Sequence, residues 1–169
     1  RRKIELNARV AAWALIGLGV GSALLLAVAA AGGAAEHIGA LVFFLAFAWL
    51  SGLGLAKLYK IVAFLTWLEC YGAVLGKRPT PRVQDLVDEA RALPWFRLYF
   101  ASVAAASLAA FFNVPLAFRV AAAGMLIASC RLGLELLRTR TLKRVPAPLL
   151  PPQGRPRRLL LPILDHARP

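Results

Sequence analysis

Histidine, cysteine and methionine are scarce in this chain: 169 residues hold two His, two Cys and one Met. Cys70 and Cys130 form no CxxC pair and show no metal-ligand spacing, so they read as small apolar side chains rather than a disulfide or zinc site. No Ser-His-Asp set falls on one side, and there is no glycine-rich phosphate loop, no HExxH and no carboxylate pair at a catalytic spacing. No stretch alternates apolar and polar residues with period two, so nothing reads as a half-buried strand. Acidic residues are few as well, with 8 Asp and Glu against 21 Lys and Arg.

What the chain does have is apolar length. Hydrophobic residues make up 60% and charged residues 17%, with a formal net charge of +13. A soluble domain is about 45–50% apolar and about a quarter charged, so an ordinary soluble domain is excluded. A transmembrane helix needs about 20 mostly apolar residues. Four segments meet that requirement: 10–31, 38–58, 95–112 and 115–137. The predicted fold is all-α, an integral-membrane four-helix bundle over residues 1–145, followed by a proline-rich tail over 146–169. That tail holds seven of the 11 prolines and reads as extended and irregular, with Leu159 to Leu164 touching lipid or a neighbouring subunit. The run behind Arg1, Arg2 and Lys3 imitates a signal peptide, but its length and the spans that follow favour an anchor. A start at Arg1 without Met reads as a processed, trimmed or partial polypeptide.

Small residues mark helix-packing faces. Gly17 and Gly21 form a GxxxG pair in the first span, and Ala101, Ala105 and Ala109 recur at spacing four in the third. Both suggest association with a second copy or with other membrane helices. Residues 57–76 read as a continuation of a long second helix beyond the membrane, with Lys57 and Lys60 snorkelling at the inner interface and Tyr59, Trp67 and Tyr71 at headgroup level. In the following loop, Thr80-Pro81 and the spacing of Val83, Leu86, Val87 and Ala90 predict a short amphipathic cytoplasmic helix over 81–92.

Charge gives the orientation. Four basic residues lie from Arg1 to Arg9, seven from Lys57 to Arg97 and nine from Arg131 to Arg168, leaving only Arg119, in the turn between spans three and four, on the other side. The positive-inside rule then places both termini in the cytoplasm, in a bacterial inner membrane. Topology accounts for the basic balance without nucleic acid, and it predicts contact with anionic lipid headgroups at about 1 kcal/mol per well-placed cation.

Few residues remain as carriers of chemistry. Lys57, Lys60, Arg131 and Glu135 are ionisable groups near the inner boundary, and Arg131 with Glu135 forms an expected i,i+4 pair. Glu69, in a mostly apolar stretch, becomes a proton or cation site if the extension re-enters the membrane. His37 is the candidate heme or metal ligand at the outer start of span two, with Met125 the only internal second axial ligand. His166 lies in the tail and cannot reach His37 across a membrane, which excludes a bis-histidine heme within one copy.

The run from His37 through Gly54, Leu58, Tyr59, Lys60, Ile61, Val62, Phe64, Leu65 and Trp67 to Tyr71 and Gly72 resembles bacterial heme-copper-oxidase-like membrane proteins of the NnrS type. It departs from their pattern at Ala63, Glu69 and Cys70. The resemblance implies the C-terminal four spans of a longer polytopic protein, with His37 ligating heme or copper alongside ligands from outside this chain. The function expected first is a structural or assembly module of a larger respiratory or redox membrane protein. The second reading is a redox module using His37, and the third a small transporter or channel, for which few polar residues and no inverted repeat provide.

Overall fold

A computed structural model describes residues 5–76, 79–142, 145, 149 and 150. The described residues are helical throughout and contain no strand: α1 Leu6–Ala30, α2 Ala34–Phe44, a π-helical segment Leu45–Ser51, α3 Gly52–Tyr71, α4 Glu89–Phe111 and α5 Pro115–Arg140. Among the described residues four helices are long and apolar enough to cross a membrane: Leu6–Ala30, Ala35–Tyr71, Glu89–Phe111 and Pro115–Arg140. The second, α2 through α3, has 37 residues. At 1.5 Å per residue it is about 55 Å long, well beyond the ~30 Å of hydrocarbon in a bilayer. The expected continuation past residue 58 is therefore present, as far as Tyr71.

Residues 5–60 with 88–135 form one compact unit, and 61–87 with the described residues from 136 onward form a second. In the first unit, the turns α1–α2 and α4–α5 are both closed by the same device. Gly32 (φ +76°) and Asn113 (φ +54°) occupy the left-handed region just past their helices. Gly33 N–H donates to Val28 O and Val114 N–H to Ala109 O, satisfying carbonyls that a helix end leaves open. Pro115 then opens α5, where its missing N–H costs nothing. We expect Asn113→Val to lower stability by about 1–2 kcal/mol and Asn113→Gly to lose none, because only the former forces a β-branched side chain into a left-handed backbone. Thermal unfolding in detergent measures the difference.

The π segment is built against α1. Gly17 and Gly21 are buried where the wide turn passes: a Cβ on Gly17 would lie 3.0 Å from Ala48 Cβ, and one on Gly21 2.5 Å from Leu45 Cδ2. The GxxxG pair is thus occupied within the chain. Around it, Ala48, Tyr99, Val103, Ala106, Ala121, Met125 and Ala128 form the apolar core. The α4 face turned to this core carries Tyr99, Ser102, Val103, Ala106 and Ala109, whereas Ala101 and Ala105 are exposed. Of the predicted alanine face, only Ala109 faces inward. Alternating steps of three and four track a 3.6-residue helix, while a strict step of four drifts off the contact line.

The predicted loop helix over 81–92 is replaced by a single 3-10 turn, Val83–Leu86, and by the first turn of α4. Val87 is extended (φ −114°, ψ 151°), which breaks the helix. Asp88 restarts it by accepting the Arg91 N–H at 3.0 Å, a strong N-cap. Asp85 likewise accepts the Arg82 N–H at 2.9 Å and holds the 3-10 turn. Most of the tail lies outside the described residues.

Candidate functional site

Two ion pairs and a helix-start contact of the first unit lie at the end of the helices opposite the Gly32 and Asn113 turns. Glu5, just before α1, bridges to Lys60 at 3.0 Å. Glu89, the first residue of α4, accepts the Leu6 N–H at 2.9 Å, satisfying an open donor at the start of α1. Arg91, one turn into α4, pairs with Glu135 of α5 at 3.4 Å. Glu135 is only 5% exposed. These contacts form an ionic belt linking α1, α3, α4 and α5.

The expected Arg131–Glu135 pair is not the one formed. Glu135 takes Arg91, while the Arg131 guanidinium lies 5.1 Å from the ring centre of Trp95, a cation–π contact. The reason is geometric. Helices α4 and α5 run antiparallel, so Arg91 and Trp95 descend as Glu135 and Arg131 ascend, and interhelical partners reach each side chain at better geometry than the i,i+4 neighbour. Sequence reasoning missed Glu5, Glu89, Arg91 and Trp95 as members of this belt. Their signal was present: acids at the starts of spans one and three, facing a lysine at the matching level of span two.

Tyr59, expected at headgroup level, is buried (4% exposed) and packs edge-on against Phe96 at 5.9 Å. In the second unit Trp67 Nε1–H donates to Pro81 O at 2.7 Å and Tyr71 O–H to Leu149 O at 2.9 Å. These aromatics tie down the loop at Pro81 and the chain after α5 at Leu149. Glu69 pairs with Arg140, and Leu86, Leu142 and Val145 form a small apolar core beside Trp67 and Cys70. The Glu69 carboxylate thus has a cation partner in its own unit.

At the opposite end of the first unit, the His37 ring stacks on Phe111 with centroids 4.0 Å apart and planes 16° from parallel. Phe111 also lines an apolar groove of about 390 Å³ with Val20, Leu24, Leu41, Phe44 and Leu108. Met125 sits elsewhere, in the apolar core and beside a cavity of about 300 Å³ shared with Phe47, Ser51, Tyr99 and Ser129. It is ten residues into α5, about 15 Å along the helix from the Asn113 turn. The Tyr99 hydroxyl donates to Phe47 O, a carbonyl inside the π segment, at 3.0 Å. Lys57 is exposed on α3, one turn before Lys60.

His37 and Met125 therefore do not form a ligand pair. Among the described residues no three His, Cys, Asp or Glu side chains converge as a metal site. A single imidazole can hold a heme iron as its one protein ligand but does not complete a copper centre, whose further ligands would have to come from outside the described residues. No protein family, curated protein or solved structure matches the chain.

Proposed function

We propose that this chain is a multi-pass module of the bacterial inner membrane, with cytoplasmic termini, whose role is structural: holding together a larger respiratory or redox membrane assembly. The observation that carries this reading is the fate of the ionisable groups. Glu5, Lys60, Glu69, Arg91, Glu135 and Arg140 are spent on ion pairs between segments of the chain, and Glu89 on the start of α1. Outside these contacts the helices present large aliphatic side chains, among them Leu26, Leu116, Val120 and Leu126, each at least 65% exposed. Such a surface requires lipid or other helices around it.

Two measurements test this reading. Maleimide labelling of Ala34→Cys and Thr80→Cys, each in a background lacking Cys70 and Cys130, should show opposite sidedness in intact vesicles; labelling of both from one side overturns the four-span arrangement. Absorption spectroscopy and metal analysis of the detergent-purified chain, isolated from heme- and copper-replete cells, should show neither a Soret band nor stoichiometric metal. A Soret band abolished by His37→Ala would replace the assembly role with the redox reading that the NnrS-type resemblance implies.

A further inference from the structure

Four basic side chains stand apart from the ionic belt. Arg9, Lys57, Arg97 and Arg131 are all exposed, and α1, α3, α4 and α5 each contribute one of them. Among the described residues none of the four has a carboxylate partner, and Arg131 alone has a recorded contact, the Trp95 ring. Their heights are similar. Arg9 lies four residues from Glu5, Lys57 three from Lys60, Arg97 six from Arg91 and Arg131 four from Glu135. At 1.5 Å per residue, all four sit about 5–9 Å from the belt, on the side toward the Gly32 and Asn113 turns.

We propose that these four cations form a collar that binds the phosphate groups of anionic phospholipids, with Trp95 holding the Arg131 guanidinium at headgroup depth. The inference rests on the membrane-spanning reading above. Two observations favour a lipid over a soluble anion. Exposed aliphatic side chains lie beside the cations: Leu58 next to Lys57, Leu98 next to Arg97, and Leu134 one turn from Arg131. Moreover, the cations are distributed over four helices rather than converging on one pocket, which suits several headgroups around a perimeter. The belt also explains why the collar retains its charge: the nearby acids Glu5, Glu89 and Glu135 are already engaged. Long Arg and Lys stems then lie along apolar surface while their heads reach the phosphate layer.

Native mass spectrometry of the full chain, released from vesicles of equal phosphatidylglycerol and phosphatidylcholine, tests this directly. The wild type should retain phosphatidylglycerol preferentially. Each single change, Arg9→Gln, Lys57→Gln, Arg97→Gln or Arg131→Gln, should cut the preference by up to about fivefold, and the quadruple variant should abolish it. Arg119→Gln, at the other end, should leave it unchanged. Trp95→Leu should weaken the preference in the wild type and have no effect in an Arg131→Gln background. A quadruple variant that keeps wild-type selectivity while showing wild-type helicity by circular dichroism overturns the collar, as does full competition by inorganic phosphate. Failure of the membrane reading itself appears separately, as release of the chain from vesicles by alkaline carbonate.

Discussion

Glu135→Ala should lower the unfolding free energy by about 3 kcal/mol, the low end for breaking a buried ion pair, because the Arg91 partner is half-exposed and partly solvated. Glu135 is almost fully buried (5% exposed), so its truncation removes the ion pair to Arg91 and leaves a gap beside a part-solvated guanidinium. Unfolding in mixed detergent micelles, followed by circular dichroism, measures the loss. Glu135→Gln should lose less, since the amide still accepts a hydrogen bond. The joint replacement Glu135→Leu with Arg91→Met should recover most of the loss, because well-packed apolar side chains commonly match a buried ion pair in stability. If Glu135→Ala unfolds like the wild type, the belt contributes nothing to holding α4 against α5.

The second large effect is expected at Gly17. A leucine there must place its Cβ 3.0 Å from Ala48 Cβ and 3.5 Å from the Ala48 backbone carbon, and then find room for three more carbons. The obstacle is another helix backbone, which yields far less readily than the end of a side chain. Gly17→Leu should therefore cost about 3 kcal/mol or prevent the π segment from seating, by overpacking. Gly19→Leu is the internal control. It sits on the same helix two residues away with open space around its Cβ, so it should be neutral or slightly stabilising through helix propensity. A comparable loss in both variants would show that glycine in α1 matters for reasons other than close approach. Gly21→Ala should be milder than Gly17→Leu, because its nearest obstacle is the Leu45 side-chain tip at 2.5 Å.

Most of the secondary structure was legible in the sequence. Runs such as 10–31 and 115–137 are apolar for longer than any strand, and Pro115 announces its helix. The continuation through Lys57 and Lys60 was legible too, since no glycine or proline pair interrupts 55–71. The loop was not. Val83, Leu86, Val87 and Ala90 satisfy a helical period, but the same residues serve a 3-10 turn plus a helix start once Asp88 caps α4. Periodicity cannot distinguish one helix from two short elements separated by two extended residues, here Val87 and Asp88.

The stripe of α4 that meets the core was illegible for a related reason. Alanines and serines occupy most positions from 101 to 110, so composition does not mark which stripe meets the core. That choice follows from where Gly124 and the π segment approach: a Cβ on Gly124 would lie 2.5 Å from Ser102 Oγ.

The sequence alone determined that this chain folds into long apolar helices and that most of its basic residues fall in the segments flanking them. Hydrophobic length and charge counts are properties of each segment by itself. The tertiary structure decided which charges cancel: Glu135 turns to Arg91 rather than Arg131, Glu5 to Lys60, and Glu69 to Arg140. Pairing energy depends on distances between segments far apart in the chain, and those are set only when helices cross. The same crossing leaves Arg9, Lys57, Arg97 and Arg131 outside the network, their charge directed outward.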